Sequence, residues 1–239
     1  MDSSRKNAVI VGVLFIIGTA AGVLSVLVYG SVLNQPDYLI RVSTNPNQII
    51  IGALCVVVMG FALAMVPVLM YPISKKYNQF LALGYVVFRG ALETATYAAM
   101  VVSRLMLILL SLEFVKAGAP QSSYFQTLGA LLLGAHDSIN MILVMVFGIG
   151  ALMLYALFYQ SRLIPRWLSI WGLVAIILHL AWGMLAIFQV INPSLLNTAD
   201  VLNIPIFLQE MVMAVWLIVK GFNLSQSVSL PAKTVAIEP

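Results

Sequence analysis

The sequence predicts an all-α polytopic membrane protein, a single bundle of six transmembrane helices with both termini in the cytoplasm. Three observations predict it. Hydrophobic residues make up 62% of the 239 positions and charged residues only 8%, whereas a water-solvated domain carries about 25% charged residues. Mean hydropathy is +1.04, so most of the surface is built to meet lipid. Apolar runs of spanning length, roughly 17 to 25 residues or more, occur six times. The net charge of +4 is spread between those runs rather than gathered on one soluble face, so membrane topology accounts for it and no nucleic-acid partner is expected. Cys55 is the one cysteine. It lies inside an apolar run, and with no second cysteine an internal disulfide or a CxxC site is excluded.

The runs lie at about Ala8–Leu33, Gln48–Tyr71, Phe80–Leu112, Tyr124–Tyr159, Trp167–Val190 and Ile204–Phe222. Arg5 and Lys6 precede the first, as in a secretory signal, but its apolar core exceeds the usual length of about 7 to 15 residues and no A-x-A-like cleavage site follows. It reads as a permanent helix. Gly18 and Gly22 on it form a GxxxG pair suited to close packing against a neighbouring helix.

Asn45-Pro46-Asn47-Gln48 offers an Asn cap and a first-position proline for the second helix. Pro67 should kink that helix and Pro72 should close it. Ser123 with Gln126 reads as a capping box opening the fourth helix. Pro165 precedes the fifth, and Pro205 lies in the first turn of the sixth. The third and fourth runs are longer than a span of about 20 residues requires, so they should tilt or project together beyond the outer surface. Neither an internal repeat nor a linker that would divide the chain is visible.

Lys and Arg set the orientation. With the N-terminus inside, the inner segments hold Arg5, Lys6, Lys75, Lys76, Arg162, Arg166, Lys220 and Lys233, and the outer loops hold Arg41 and Lys116. That bias places both ends in the cytoplasm of a multi-pass protein of the cell (inner, plasma) membrane. Residues 223–239 form a short polar cytoplasmic tail, which puts the sequon at Asn223 on the wrong side for glycosylation.

The third run carries Arg89, Glu93, Tyr97 and Arg104. At about 100° per residue, steps of 4, 4 and 7 keep the four side chains within roughly a quarter turn. Each charge near a bilayer centre costs roughly 2.5 to 3.5 kcal/mol unless it finds a partner or water. Arg89 and Glu93 are spaced to pair, and two readings stay open: a salt bridge that fixes the helix, or a charged wall of a cavity. Arg104, near the outer end, should reach toward the headgroups.

On the fourth helix His136 and Asn140 share a face, while Asp137 and Ser138 turn away, so these neighbours form no Ser-His-Asp triad. His179 sits among Gly172, Ala175, Gly183 and Ala186, a small-residue stripe that suits a hydrogen bond to an adjacent helix. Glu210 must be protonated, paired or wet where it lies. The expected ligand-lining set is therefore Arg89, Glu93, Tyr97, His136, Asn140, His179 and Glu210. His136, His179, Glu93 and Glu210 are metal-ligand types, but they fall on four helices with no HExxH or other close pair. No metal site and no cofactor is expected, and no catalytic residue can be assigned. GxSxG, Walker and GxGxxG motifs do not occur in context.

The order of features is similar to a known family. Arg89-x-x-x-Glu93 is followed by His136, by Arg162-Leu163-Ile164-Pro165-Arg166-Trp167-Leu168, by Glu210 and by Trp216-Leu217-Ile218-Val219-Lys220-Gly221-Phe222. Together these resemble the domain of unknown function 4386, a group of mostly bacterial multi-helix membrane proteins. The resemblance implies a six-helix membrane protein and no accepted activity. In the last element Lys220 suits the cytoplasmic headgroups, Gly221 a left-handed helix stop and Phe222 an interfacial anchor.

The function expected from the residues is an intramembrane polar site that binds or conducts a small molecule, lipid or proton, with membrane lipid as surroundings and a small molecule as possible ligand. Two alternatives remain open: a membrane-embedded hydrolase-type enzyme using Glu93, His136 and Glu210 as acid and base, and a structural or assembly subunit whose ion pairs only lock helices. Oligomeric state is not legible.

Overall fold

Long apolar runs, interrupted only by capping and turn residues, leave the chain no way to satisfy its backbone in lipid except as helices. The computed structural model describes residues 3–118, 122–188, 190 and 198–224, and among them there is helix and no strand. The helices are α1 (Ser3–Leu33), α2 (Tyr38–Thr44), α3 (Pro46–Ser74), α4 (Gln79–Tyr85), α5 (Glu93–Ala117), α6 (Ser122–Ser161), α7 (Arg166–Ile187) and α8 (Thr198–Val219), with a π-helical turn, Val86–Leu92, joining α4 to α5. Five continuous stretches among the described residues are long and apolar enough to cross a membrane: Ser3–Leu33, Pro46–Ser74, Gln79–Ala117, Ser123–Ser161 and Arg166–Ile187. The last helix carries a shorter apolar stretch, Asn203–Val219.

The long helices close a ring. α1 packs on α3, α3 on the π-turn and α5, α5 on α6, α6 on α7, α7 on α8, and α8 returns to α1. Small residues set the closest approaches. A Cβ on Gly12 would stand 2.6 Å from the Ala214 carbonyl oxygen of α8, and one on Gly18 would stand 2.7 Å from the Leu63 side chain of α3. At one end of the ring Arg5 of α1 donates to the carbonyl oxygens of Leu217, Ile218 and Val219 at 3.2, 2.7 and 2.9 Å. These are terminal acceptors that α8 cannot satisfy internally. At the same end Asn78, capping α4 through the Leu81 amide, reaches Gln160 of α6. At the opposite end Gln48 of α3 donates to Ser31 of α1 at 2.7 Å, and Phe114 of α5 meets Phe125 of α6.

Local chemistry departs from the sequence reading in several places. Asn45 is the N-cap of α3 with Pro46 in the first turn, yet its side chain makes no capping bond. Pro72 does not close α3, which runs two residues further to Ser74. Near a helix end a missing amide donor is tolerated. Ser123 lies inside α6 rather than before it, because the helix starts at Ser122. Pro205 is interior to α8, which begins at Thr198. The connection after α1 holds an unforeseen short helix, α2, packed on α5 and carrying an exposed Asp37–Arg41 ion pair at 2.7 Å. That hydrogen bond from Arg41 holds the Asp37 carboxyl below its usual range. Gly221 stops α8 with φ of +77°, the left-handed conformation glycine adopts without penalty. Beyond Leu224 the expected tail, including Lys233, lies outside the described residues.

Candidate functional site

The buried ionisable groups meet inside the ring. Arg89 belongs to the π-turn, where the i→i+5 ladder displaces the helix face relative to a regular α-helix. Its Nη1 lies 3.1 Å from Oε1 and 3.2 Å from Oε2 of Glu93. Its Nη2 lies 3.3 Å from Oε1 of Glu210, on α8. Tyr97, one turn beyond Glu93, donates its hydroxyl to Glu93 Oε1 at 2.7 Å. Phe147 of α6 presents its ring 4.8 Å from the guanidinium carbon, within cation–π range. Arg89 is 3% exposed and Glu93 fully buried, while Glu210 is 14% exposed. Two carboxyl groups thus face one guanidinium. Glu93 is doubly hydrogen-bonded behind Arg89, and Glu210, the less buried, holds the open side.

The ring is not filled. Beside the triad lies a cavity of about 450 Å³ lined by Arg89, Tyr97, His179, Asn203 and Glu210, to which α1, α3 and α6 contribute Thr19, Met59 and Asn140. A second cavity of about 460 Å³ continues toward the α2 end, past Tyr29 and Arg104, to Asn34. Gly22, Met59, Tyr97, Asn140 and Leu143 line both, so the two form one cleft with a lower and an upper chamber. Each is of the size that takes a small molecule.

The residues expected from sequence divide between these chambers. Arg89, Glu93, Tyr97 and Glu210 come together. His179 lines the lower chamber, its Nδ1 2.6 Å from Asn203 Oδ1 of α8 and its ring edge-on to Phe147 at 5.3 Å. Asn140 borders both chambers. His136 lines the upper one and, among the described residues, makes no hydrogen bond or ion pair with Glu93 or Glu210. Arg104 does not reach outward as expected. Its guanidinium carbon lies 5.2 Å from the Tyr29 ring, and it lines the upper chamber. There the guanidinium finds an aromatic face. Among the described residues no group of three or more His, Cys, Asp or Glu side chains is placed to hold a metal ion.

Several contributors were not identified from sequence. Tyr29 follows Gly18, Gly22 and Ser25 at helical steps of 4, 3 and 4, and Phe147 follows His136, Asn140 and Leu143 in the same way, so extending each polar face by a turn reaches both. Asn203, and the buried bond from the Tyr155 hydroxyl to Gln209 Oε1 at 2.5 Å, join different helices and left no local signal.

Residues 10–221 match the family described as domain of unknown function (DUF4386). No curated protein and no solved structure matches the chain.

Proposed function

The chain belongs to the DUF4386 family, and from the geometry of its cleft we propose a non-enzymatic integral membrane protein whose intramembrane polar site binds or conducts a small molecule, lipid or proton. The observation that carries this reading is the lower chamber, with Arg89 and Glu210 on its wall and an uneven charge count of two carboxyls to one guanidinium. A purely structural lock would be expected to bury its charges against each other without leaving about 450 Å³ of space beside them. A proton or a ligand's positive group completes the balance. Arg89 sets the local charge, Glu93 and Glu210 accept or release protons, and His136 hydrogen-bonds further up the cleft. The single bundle sits in the plasma membrane with both termini cytoplasmic. Its sixth span is α8, whose 22 residues amount to about 33 Å of helix, close to the hydrocarbon thickness of about 30 Å. In support, the end of α8 lies beside the start of α1 through Arg5.

The hydrolase alternative drawn on Glu93, His136 and Glu210 needs the His136 imidazole beside the carboxyls; His179, which does line the lower chamber, is held by Asn203. His136 lining the other chamber favours binding over acid–base chemistry at one reacting atom.

Two measurements test the binding reading. Native mass spectrometry of protein released into mild detergent should reveal a co-purifying small molecule or lipid, its occupancy falling about tenfold, or about 1.4 kcal/mol, in Glu210→Gln. Liposomes holding the protein and a pH-sensitive dye should report any proton flux, reduced in Glu93→Gln. A bare wild-type mass together with flux no faster than in protein-free liposomes refutes the proposal.

A further inference from the structure

Above the triad, three side chains on three helices converge, each with at least one buried polar atom unused. Tyr29 of α1 is 7% exposed, and its hydroxyl has no hydrogen-bond partner among the described residues. The same holds for Nε and Nη1 of Arg104 on α5 and for Nδ1 of His136 on α6, all of them buried atoms. All three residues line the upper chamber. No carboxylate lies within 4.0 Å of Arg104 among the described residues. Its ring contact is Tyr29, and the Asp137 carboxylate acts on its charge from beyond hydrogen-bonding reach. Asp137 is next to His136 in sequence, but it points about 100° away around α6 and does not line the chamber.

A half-buried guanidinium with no carboxylate in hydrogen-bonding reach is costly, and polar groups held out of water are normally hydrogen-bonded. Here the unused groups share one chemistry. A guanidinium fork and a phenolic hydroxyl can both donate to an oxyanion, and His136, whose other nitrogen is bonded to the Met100 backbone, adds a donor only as imidazolium. A planar fork matches a carboxylate or phosphate with two parallel bonds. The carboxyl excess at the triad repels an anion from the lower chamber, so the upper chamber is where a negative group can settle.

We propose that the upper chamber is an anion subsite in which Arg104 and Tyr29, with His136 beside them, bind the phosphate or carboxylate group of a ligand whose remainder extends toward Glu210. The subsite deepens the reading of the cleft as a ligand chamber and rests on it. The anionic group can come from a soluble molecule or from a lipid headgroup.

The test uses purified full-length protein in two arms. Inorganic phosphate, glycerol 3-phosphate and succinate, titrated calorimetrically, probe the soluble source. Short-chain phosphatidic acid against the matching diacylglycerol, compared by native mass spectrometry, probes the lipid source. Whichever source binds, Arg104→Gln should weaken it by about tenfold or more and Arg104→Lys by less, because the fork is lost but the charge kept. Tyr29→Phe should weaken it about threefold, an effect in the range of a single hydrogen bond. Lys116→Gln, which removes an exposed lysine paired with Glu113, should leave it unchanged. Without ligand, Arg104→Gln should melt no lower than the parent, whereas a merely structural Arg104 would lower Tm on removal. If Arg104→Gln fails to fold, the Arg104→Lys and Tyr29→Phe affinities decide, and equality of both with the parent refutes the subsite. A folded parent that binds none of these probes also overturns it, as does equal binding by folded Arg104→Gln. If Glu210→Gln still empties the cleft of its co-purifying molecule in those cases, the anion subsite falls and the ligand chamber stands.

Discussion

Arg89 Nη2 lies 3.3 Å from Glu210 Oε1, joining residues 121 positions apart and tying the π-turn to α8. Because Arg89 also holds Glu93, it is, among the described residues, the single cation between two carboxyls, and the triad should respond asymmetrically to neutralisation. Arg89→Gln leaves two buried carboxyls facing each other and should cost about 3 to 5 kcal/mol. Glu210→Gln keeps the inner pair and removes the surplus charge, so its cost should stay within about 1 kcal/mol. Thermal unfolding in detergent measures both. Equal destabilisation by the two would contradict the charge count.

The helices and the third-span charges were legible because each rests on local information: apolar runs of bilayer length, and a spacing that places Arg89, Glu93 and Tyr97 on one face. What was not legible comes from pairing between distant segments. Glu210 was recognised as needing a partner, but nothing near it in sequence names Arg89. Arg104 was expected to face headgroups because it lies late in its helix; the aromatic ring that receives it, Tyr29, comes from α1. The π-turn was invisible too, since an i→i+5 ladder has no compositional mark in Val86–Leu92.

Gly172 of α7 lies against the ring of Tyr155 on α6, and a Cβ there would stand 2.5 Å from Tyr155 Cδ1. Tyr155 cannot swing aside freely, because its hydroxyl is bonded to Gln209, which in turn donates to the Leu168 carbonyl. Gly172→Ala should therefore destabilise by about 1 to 3 kcal/mol through overpacking. Combining it with Tyr155→Leu, which shortens the obstructing side chain, should recover part of that loss. Melting temperatures of the single and double variants check this, and additive losses would show that the ring is not the obstacle.

Arg5 closes the ring by donating to three carbonyls in the last turn of α8, where a cation also complements the helix dipole. The contact is half-exposed, so its loss in Arg5→Ala should cost only about 1 kcal/mol globally. The local effect should be larger. Backbone amides near the end of α8 should exchange faster, while those in the middle of α6 remain protected. Hydrogen exchange followed by mass spectrometry separates the two, and uniform loss of protection along the chain would mean that Arg5 does not act on α8 alone.

Membrane sidedness can be tested by replacing Cys55, the one native cysteine, and introducing single cysteines at helix ends. The proposed topology puts Asn34 and Lys116 outside and Lys75 and Arg162 inside. A membrane-impermeant maleimide applied to intact cells should label Asn34→Cys and Lys116→Cys in a Cys55→Ser background, and should reach Lys75→Cys and Arg162→Cys only after permeabilisation. Lys220→Cys decides whether α8 crosses. If it does, Lys220 joins the inner group, beside the α1 end that Arg5 marks. Labelling of Lys220→Cys from outside, with the other four sites as expected, would leave five spans and put the end of α8 on the side opposite the start of α1, against the Arg5 contact that joins them. The inner excess of Lys and Arg would shrink with it, because Lys220 would join the outer group.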